Sequence, residues 1–232
     1  MLTLFIGNKN YSSWSLRPWT LLTELNIHFK EELRPFSNEN NWENFRKFSP
    51  TGTVPLLIDD SAKHAIKVWD SLAIMEYLAE SNSHIWPEPT EARTWARCVS
   101  AEMHSGFFAV RNQCPMSVGH RVTMQQIDDS LNKNCQRLDE IWNEGLQRFQ
   151  GPFLTGEKFT AVDAFFTPIA FRYRTYRLPF SQASTDYLER LLTLDSMQAW
   201  EQAALKEVWR EPQHEIEISE SGEITDDFRE TS

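Results

Sequence analysis

An α/β domain of βαβ-α-ββα order, followed by an all-helical domain, is the fold this sequence predicts. Three observations carry the expectation. Short apolar runs alternate with helical patterns as far as residue 82. The segment Trp86-Pro87-Glu88-Pro89 then interrupts the pattern. Beyond it, apolar residues recur at spacings of three, four and seven, the period of a buried helix face.

Leu2-Thr3-Leu4-Phe5-Ile6 is an apolar run that stops at Gly7, and it reads as a strand. Leu16-Arg17-Pro18-Trp19 opens a helix over 18–25 with Leu21, Leu22 and Leu25 on its apolar side. Pro18 suits a first turn, where a missing N–H loses no bond. Residues 27–33 read as a second strand, and a βαβ unit calls for parallel strands with a right-handed crossover. Residues 38–48 carry Trp42, Phe45 and Phe48 at helical spacing. Residues 54–58 and 65–69 form a hairpin about Asp59-Asp60-Ser61, and a helix follows with Asp70 or Ser71 as its cap. The expected boundaries are an α/β domain over 1–82, a linker over 83–90 and helices over 91–210. Those helices are a long one over 91–111, a second through Ile127, Leu131, Leu138, Ile141, Trp142 and Phe149, a third over 160–176, and shorter ones over 187–194 and 197–208. The remainder, 211–232, is acidic and aperiodic and reads as a disordered tail.

Apolar residues make up 41% of the 232 and charged residues 24%, the balance of a globular protein. No apolar run is long enough for a membrane helix, and the start of the chain does not read as a secretory leader. Most of the net charge of −10 lies between Glu211 and Ser232. The rest of the chain is near neutral, which argues against a nucleic-acid partner. Cys98, Cys114 and Cys135 have neither metal-ligand nor disulfide spacing. The expectation is therefore a chain with no metal, in a reducing cytoplasm.

Four stretches carry candidate chemistry. Residues 7–19, GNKNYSSWSLRPW, place Ser12, Ser13 and Ser15 between a strand end and a helix start. Free N–H groups and the helix dipole favour an anion there. A serine in that loop either caps the helix or donates to the anion. In Thr53-Val54-Pro55-Leu56-Leu57, a proline within an apolar strand stands either on an edge or after a cis bond that turns the backbone of Val54 outward. Asp70-Ser71 at a helix start either caps it or holds a ligand. In the second role Asp70 takes an ammonium and the helix N–H groups take a carboxylate. Thr160 and Asp163 have capping-box spacing, with Phe159 before the cap, and are structural. Met103, His104, Phe107 and Arg111 form one stripe of the long helix, either core or the wall of a substrate pocket.

In order and spacing, SSWSLR at 12–17, TVPLL at 53–57, WDS at 69–71 and the capping motif at 156–163 resemble a cytosolic glutathione transferase over residues 1–210. The resemblance implies a thioredoxin-like N-terminal domain, a helical C-terminal domain and a homodimer. It implies a cis Pro55, and glutathione held by the backbone of Val54 and by Asp70 and Ser71. The loop is most similar to the serine-type zeta and theta classes of bacterial-like enzymes. The zeta pattern S-S-C-S-W-R has Trp14 here for its cysteine and Leu16 for its tryptophan. This puts Ser12 at the catalytic place, with Ser13, Ser15 and Tyr11 as rivals. Ser15 is the expected N-cap, close before Pro18.

The implied activity joins the glutathione thiolate to a small electrophile in a pocket between the domains. Arg17 with Met103, His104, Phe107 and Arg111 would line that pocket. One alternative is a glutathione-dependent cis–trans isomerase of the maleylacetoacetate type, for which Arg17 and Arg111 would hold a dicarboxylate. A thiol oxidoreductase would need a cysteine in the 12–15 loop, which has none. An alternative of another class is a dimeric glutathione-binding module without catalysis.

Overall fold

The computed structural model describes residues 1–37, 40–61 and 63–230. The first seven elements are β1 (Leu2–Ile6), α1 (Ser13–Glu24), β2 (Phe29–Leu33), α2 (Asn41–Arg46), β3 (Leu56–Asp59), β4 (Ile66–Trp69) and α3 (Ser71–Ala79). The four strands form one sheet in the order β2-β1-β3-β4. Strand β1 pairs parallel with β2 and antiparallel with β3, and β3 pairs antiparallel with β4. Strand period places Leu4 and Ile6 on one face, and both are fully buried. Helix α1 lies on that sheet and meets α3, so the loop before it opens at one end of the domain.

Three local expectations are corrected here. Helix α1 starts at Ser13 rather than at 18, because Leu16 N–H reaches the Ser12 carbonyl at 3.2 Å and closes a turn five residues early. Pro18 therefore sits inside the helix. Ser12, not Ser15, occupies the N-cap position, and its side chain makes no capping bond. Strand β2 begins at Phe29, because the chain turns through a left-handed Asn26 first. The first two residues of the helix expected over 38–48 lie outside the described residues, and α2 covers Asn41–Arg46.

The second part of the chain holds α4 (Thr90–Ser105), α5 (Phe108–Gln113), β5 (His120–Met124), α6 (Asp129–Phe149), α7 (Ala161–Tyr176), α8 (Gln182–Leu192), α9 (Asp195–Leu205), α10 (Pro212–Glu220) and β6 (Gly222–Asp227). Helix α7 runs through the core, with Phe165, Phe166, Ile169 and Phe171 fully buried, and it packs against α1. Its capping box is formed. Asp163 accepts from the N–H groups of Thr160 and Leu154, both at 3.0 Å, and from the Tyr187 hydroxyl at 3.1 Å. Burial still pushes its carboxyl up to about 6.

The helix expected over 91–111 is two helices. Gly106 ends α4, and Phe107 turns the chain in a left-handed conformation at φ 58°. The acidic segment is folded where it is described, contrary to the expected disorder. Pro212 stands at the start of α10, Glu211 caps it by accepting His214 N–H at 2.8 Å, and Ile218 is fully buried. Strand β6 then pairs antiparallel with β5. Arg229 follows, with its side chain 4% exposed and bonded to Glu215 and Asp227. The segment's one arginine is buried among its carboxylates, so a local excess of negative charge does not keep it unfolded. The last two residues of the expected tail lie outside the described residues. No helix among the described residues is long and apolar enough to cross a membrane.

Candidate functional site

Two adjoining cavities share Trp14, Thr53 and Val54. One, of about 450 Å³, is bounded by Pro55, Trp69, Asp70 and Ser71. The Val54–Pro55 bond between β3 and the preceding loop is cis. The other cavity, of about 420 Å³, has Tyr11, Ser12 and Ser13 on one wall and Phe36, Phe45, Pro115 and Met116 as apolar surface. Arg111, Arg172, His214 and Glu217 complete it.

Ser12 is 6% exposed at the head of α1. Its hydroxyl donates to Ser15 Oγ at 2.7 Å, and Ser15 Oγ also accepts Gly7 N–H at 3.2 Å. Ser15 is fully buried and does not line the cleft. Tyr11 lines it with its ring, but its hydroxyl is engaged. It donates to Glu215 and accepts from Arg229 Nη1 at 3.1 Å. Burial, then the Glu215 carboxylate, raise its pKa far above the usual tyrosine value. That leaves Ser12 and Ser13 as the loop hydroxyls on the cavity that are not tied to a carboxylate.

Asp70 caps α3 through one of its two carboxylate oxygens. Its backbone is at φ 78°, and Oδ1 accepts the N–H groups of Leu72 at 2.8 Å and Ala73 at 3.3 Å. Oδ2 faces His104 Nε2 at 3.3 Å. Burial, with Arg17 and Arg111 nearby, lowers the His104 pKa against the pull of Asp70, which keeps the ring neutral at pH 7. The Trp14 indole is flanked by the Arg17 guanidinium at 4.4 Å and that of Arg111 at 4.5 Å, with the His104 ring edge-on at 5.3 Å.

The C-terminal segment closes one side. The His214 ring stacks on Tyr11 at 4.9 Å and on Phe36 at 5.2 Å. Behind it, Arg229 bonds Glu215 Oε1 at 2.6 Å, Asp227 Oδ2 at 2.7 Å and His120 Nε2 at 2.8 Å. His120 Nδ1 meets Ser117 Oγ at 2.7 Å, and the Asn10 side-chain Oδ1 accepts the N–H groups of Val118 and Gly119. One polar network thus ties the end of the chain to the loop that carries Ser12.

The structure brings Tyr11, Ser12, Ser13, Val54, Pro55, Asp70, Ser71 and Arg111 to the cleft. It sets Arg17 and His104 directly behind Ser71, Trp14 and Asp70. Met103 and Phe107 belong to the core instead. The break at Gly106-Phe107 shifts the helical phase on which their placement depended. Sequence reasoning missed Arg172, which hides in a helix buried through the core, and Phe36. It also missed His214 and Glu217, which sit in the segment read as disordered. Glu211-Pro212, a capping residue followed by a proline, was the signal for α10. Among the described residues, no group of three or more His, Cys, Asp or Glu is placed to hold a metal ion.

Residues 11–81 match the family model described as glutathione S-transferase, N-terminal domain. A glutathione S-transferase-like protein, OpS6 of Beauveria bassiana, is 25% identical over 179 residues, covering 72% of this chain and 77% of the relative. A glutathione transferase homolog from Burkholderia, solved with bound glutathione, superposes with a TM-score of 0.64 at 20% identity, covering 88% of this chain and 97% of that one. Ure2p in complex with glutathione gives 0.64 at 16% identity, covering 86% and 97%. The folds agree over most of the chain.

Proposed function

We propose that this chain, whose residues 11–81 belong to the glutathione S-transferase N-terminal domain family and whose fold is theirs, binds glutathione and presents its thiolate to a small electrophile. One observation carries the reading. Val54, Pro55, Asp70 and Ser71 line one end of a continuous cleft, and Ser12 lines the other.

Asp70 Oδ2 is the acceptor for the γ-glutamyl ammonium, and Ser71, through its hydroxyl and its own N–H, receives the adjoining carboxylate at the positive end of α3. The Val54 backbone pairs with the peptide part. The sulfur then lies toward the head of α1. A free thiol has a pKa of about 8.5, and a helix N-terminus together with a hydrogen bond to the charged form lowers it. Ser12 need not ionise. A hydroxyl both donates and accepts, so reversing the Ser12–Ser15 bond aligns Gly7 N–H, Ser15 and Ser12 as successive donors ending on the sulfur. The thiol proton goes to solvent, and the sulfur electron pair forms the new bond to the electrophile. The reading includes a homodimer, which rests on the resemblance, and a cytoplasmic location, which rests on the cysteine spacing. Size-exclusion chromatography with light scattering tests the first.

The test of the binding mode is Asp70→Asn, which keeps an oxygen for the cap and removes the charge. A charge-assisted bond contributes about 1.5–3 kcal/mol, so glutathione affinity by titration calorimetry should fall by about tenfold or more. An unchanged affinity would reduce Asp70 to a helix cap.

A further inference from the structure

Three arginines surround the cleft, and among the described residues no carboxylate hydrogen-bonds to any of them. Arg17 is 2% exposed; it donates Nη1 to Ser71 Oγ at 3.4 Å, and its Nε is buried without a partner. Arg111 gives Nη2 to the carbonyls of Met103 and His104, and its Nε is also buried and unpartnered. Arg172 is 5% exposed; it gives Nε to the Cys114 carbonyl at 2.6 Å and Nη1 to the Pro168 carbonyl at 3.3 Å. Arg111 and Arg172 line the larger cavity itself.

Uncompensated buried cations are costly, and a fold retains them where something anionic is to be met. Arg17 and Arg111 both lie on the Trp14 ring, at 4.4 and 4.5 Å, and Arg111 and Arg172 line the same cavity. Among the described residues, no other charged group at the cleft forms an ion pair with them, though the Asp70 charge acts on Arg17 from a distance. Asp70 spends Oδ1 on the α3 cap and turns Oδ2 to His104. His104 carries a lowered pKa. Glu217 is exposed at the far wall and takes a bond from Gln213. His214 bonds Glu211 through Nδ1. The same cavity is lined by the apolar side chains Phe36, Phe45, Pro115 and Met116, while the Trp14 ring is covered by Arg17 and Arg111.

We propose that the second substrate is an anionic electrophile, whose carboxylate is held by Arg111 and Arg172 while its flat apolar body lies against Phe36, Phe45 and Met116. This rests on the reading that glutathione supplies the thiolate. Arg111 has Nη1 left for the anion, since Nη2 goes to the Met103 and His104 carbonyls and Nε is buried. Arg172, with Nε and Nη1 on carbonyls, adds a second charge from the core side.

The probe is an isosteric pair, 4-chloro-3,5-dinitrobenzoate and 4-chloro-3,5-dinitrobenzamide. In both, the thiolate sulfur bonds to the ring carbon at position 4, the nitro groups hold the added electron pair, and the C–Cl bond breaks to release chloride. Each catalysed rate is divided by its uncatalysed rate with glutathione. The benzoate enhancement should exceed that of the amide by about tenfold or more, the size of one charge-assisted bond. Arg111→Gln should remove that preference, and Arg111→Lys should recover part of it. Equal enhancement of the two compounds, or a preference that survives Arg111→Gln, overturns the proposal. Titration calorimetry of each compound against the protein without glutathione decides the matter apart from turnover. Benzoate binding about tenfold tighter than amide binding supports the proposal, and equal binding overturns it. Turnover of neither compound, with selective benzoate binding, counts against the transferase reading and leaves the anion site standing.

Discussion

Replacing Arg229 by Met should destabilise the whole protein and loosen the cleft wall. The side chain is 4% exposed and donates to two carboxylates, with Nε and Nη2 on Asp227 and Nη1 and Nη2 on Glu215. It also touches Tyr11 and His120. Removing one member of a buried ion cluster leaves the others uncompensated, at about 3–5 kcal/mol. Asp227 is 41% exposed and Glu215 31%, so water recovers part of that loss and the lower end, about 3 kcal/mol, is the expected value. For a chain of this length each kcal/mol moves Tm by about 2–4 °C, so the fall should be about 6–12 °C.

The pH dependence has a definite sign. Burial pushes the Asp227 carboxyl up, but its bonds from Arg229 outweigh this and bring it to about 2. A depressed carboxyl stabilises above its unfolded value and loses that contribution as pH falls through the folded one. The gap between wild type and Arg229→Met should therefore be full at pH 5 and shrink between pH 4 and 2. Thermal unfolding followed by near-ultraviolet circular dichroism measures both. A Tm within about 2 °C of wild type at pH 7 would show that Arg229 does not anchor the end of the chain.

Deleting residues 211–232 removes β6, α10 and the His214 ring from the cleft, and should lower both Tm and glutathione-dependent turnover. Full retention of both on deletion would mean that the segment is dispensable, as its composition alone implies. Asp163→Asn should change the pH profile of stability in the opposite sense to Arg229→Met. The Asp163 carboxyl is raised to about 6 by burial, so the folded state holds a proton that the unfolded state has lost. Wild-type stability should therefore fall as pH rises from about 4 to 6. The asparagine variant should lack that slope in a urea titration, and an unchanged slope would place its origin elsewhere.

The sheet and the path of its connections were legible because strand period, turn residues and caps all agree over residues 1–82. Asp70 and Ser71 were both legible as candidate caps of α3, and the structure gives the cap to Asp70. The start of α1 was misjudged because Pro18 is a strong signal for a first turn, and tertiary burial of Leu16 and Arg17 overrode it. The break before α5 had one mark in the sequence, Gly106, which the stripe through Met103, His104, Phe107 and Arg111 outweighed; the left-handed turn at Phe107 was not legible. Arg172 was hidden by its company: in a helix with Phe165, Phe166, Ile169 and Phe171, periodicity reports the core and says nothing of one buried cation. The acidic segment misled because composition counts charges without showing that Arg229 is folded among them.

The central claim is that the Ser12 hydroxyl stabilises the thiolate of bound glutathione. The direct measurement is thiolate absorbance against pH for glutathione bound to wild type and to Ser12→Ala, with Ser13→Ala and Ser15→Ala beside them. Losing one hydrogen bond to the charged form removes about 1.5–3 kcal/mol. The account therefore predicts that Ser12→Ala raises the thiolate pKa by about one to two pH units, while binding at the Asp70 end persists. A pKa that stays in place in Ser12→Ala, whether or not another variant moves it, contradicts the account.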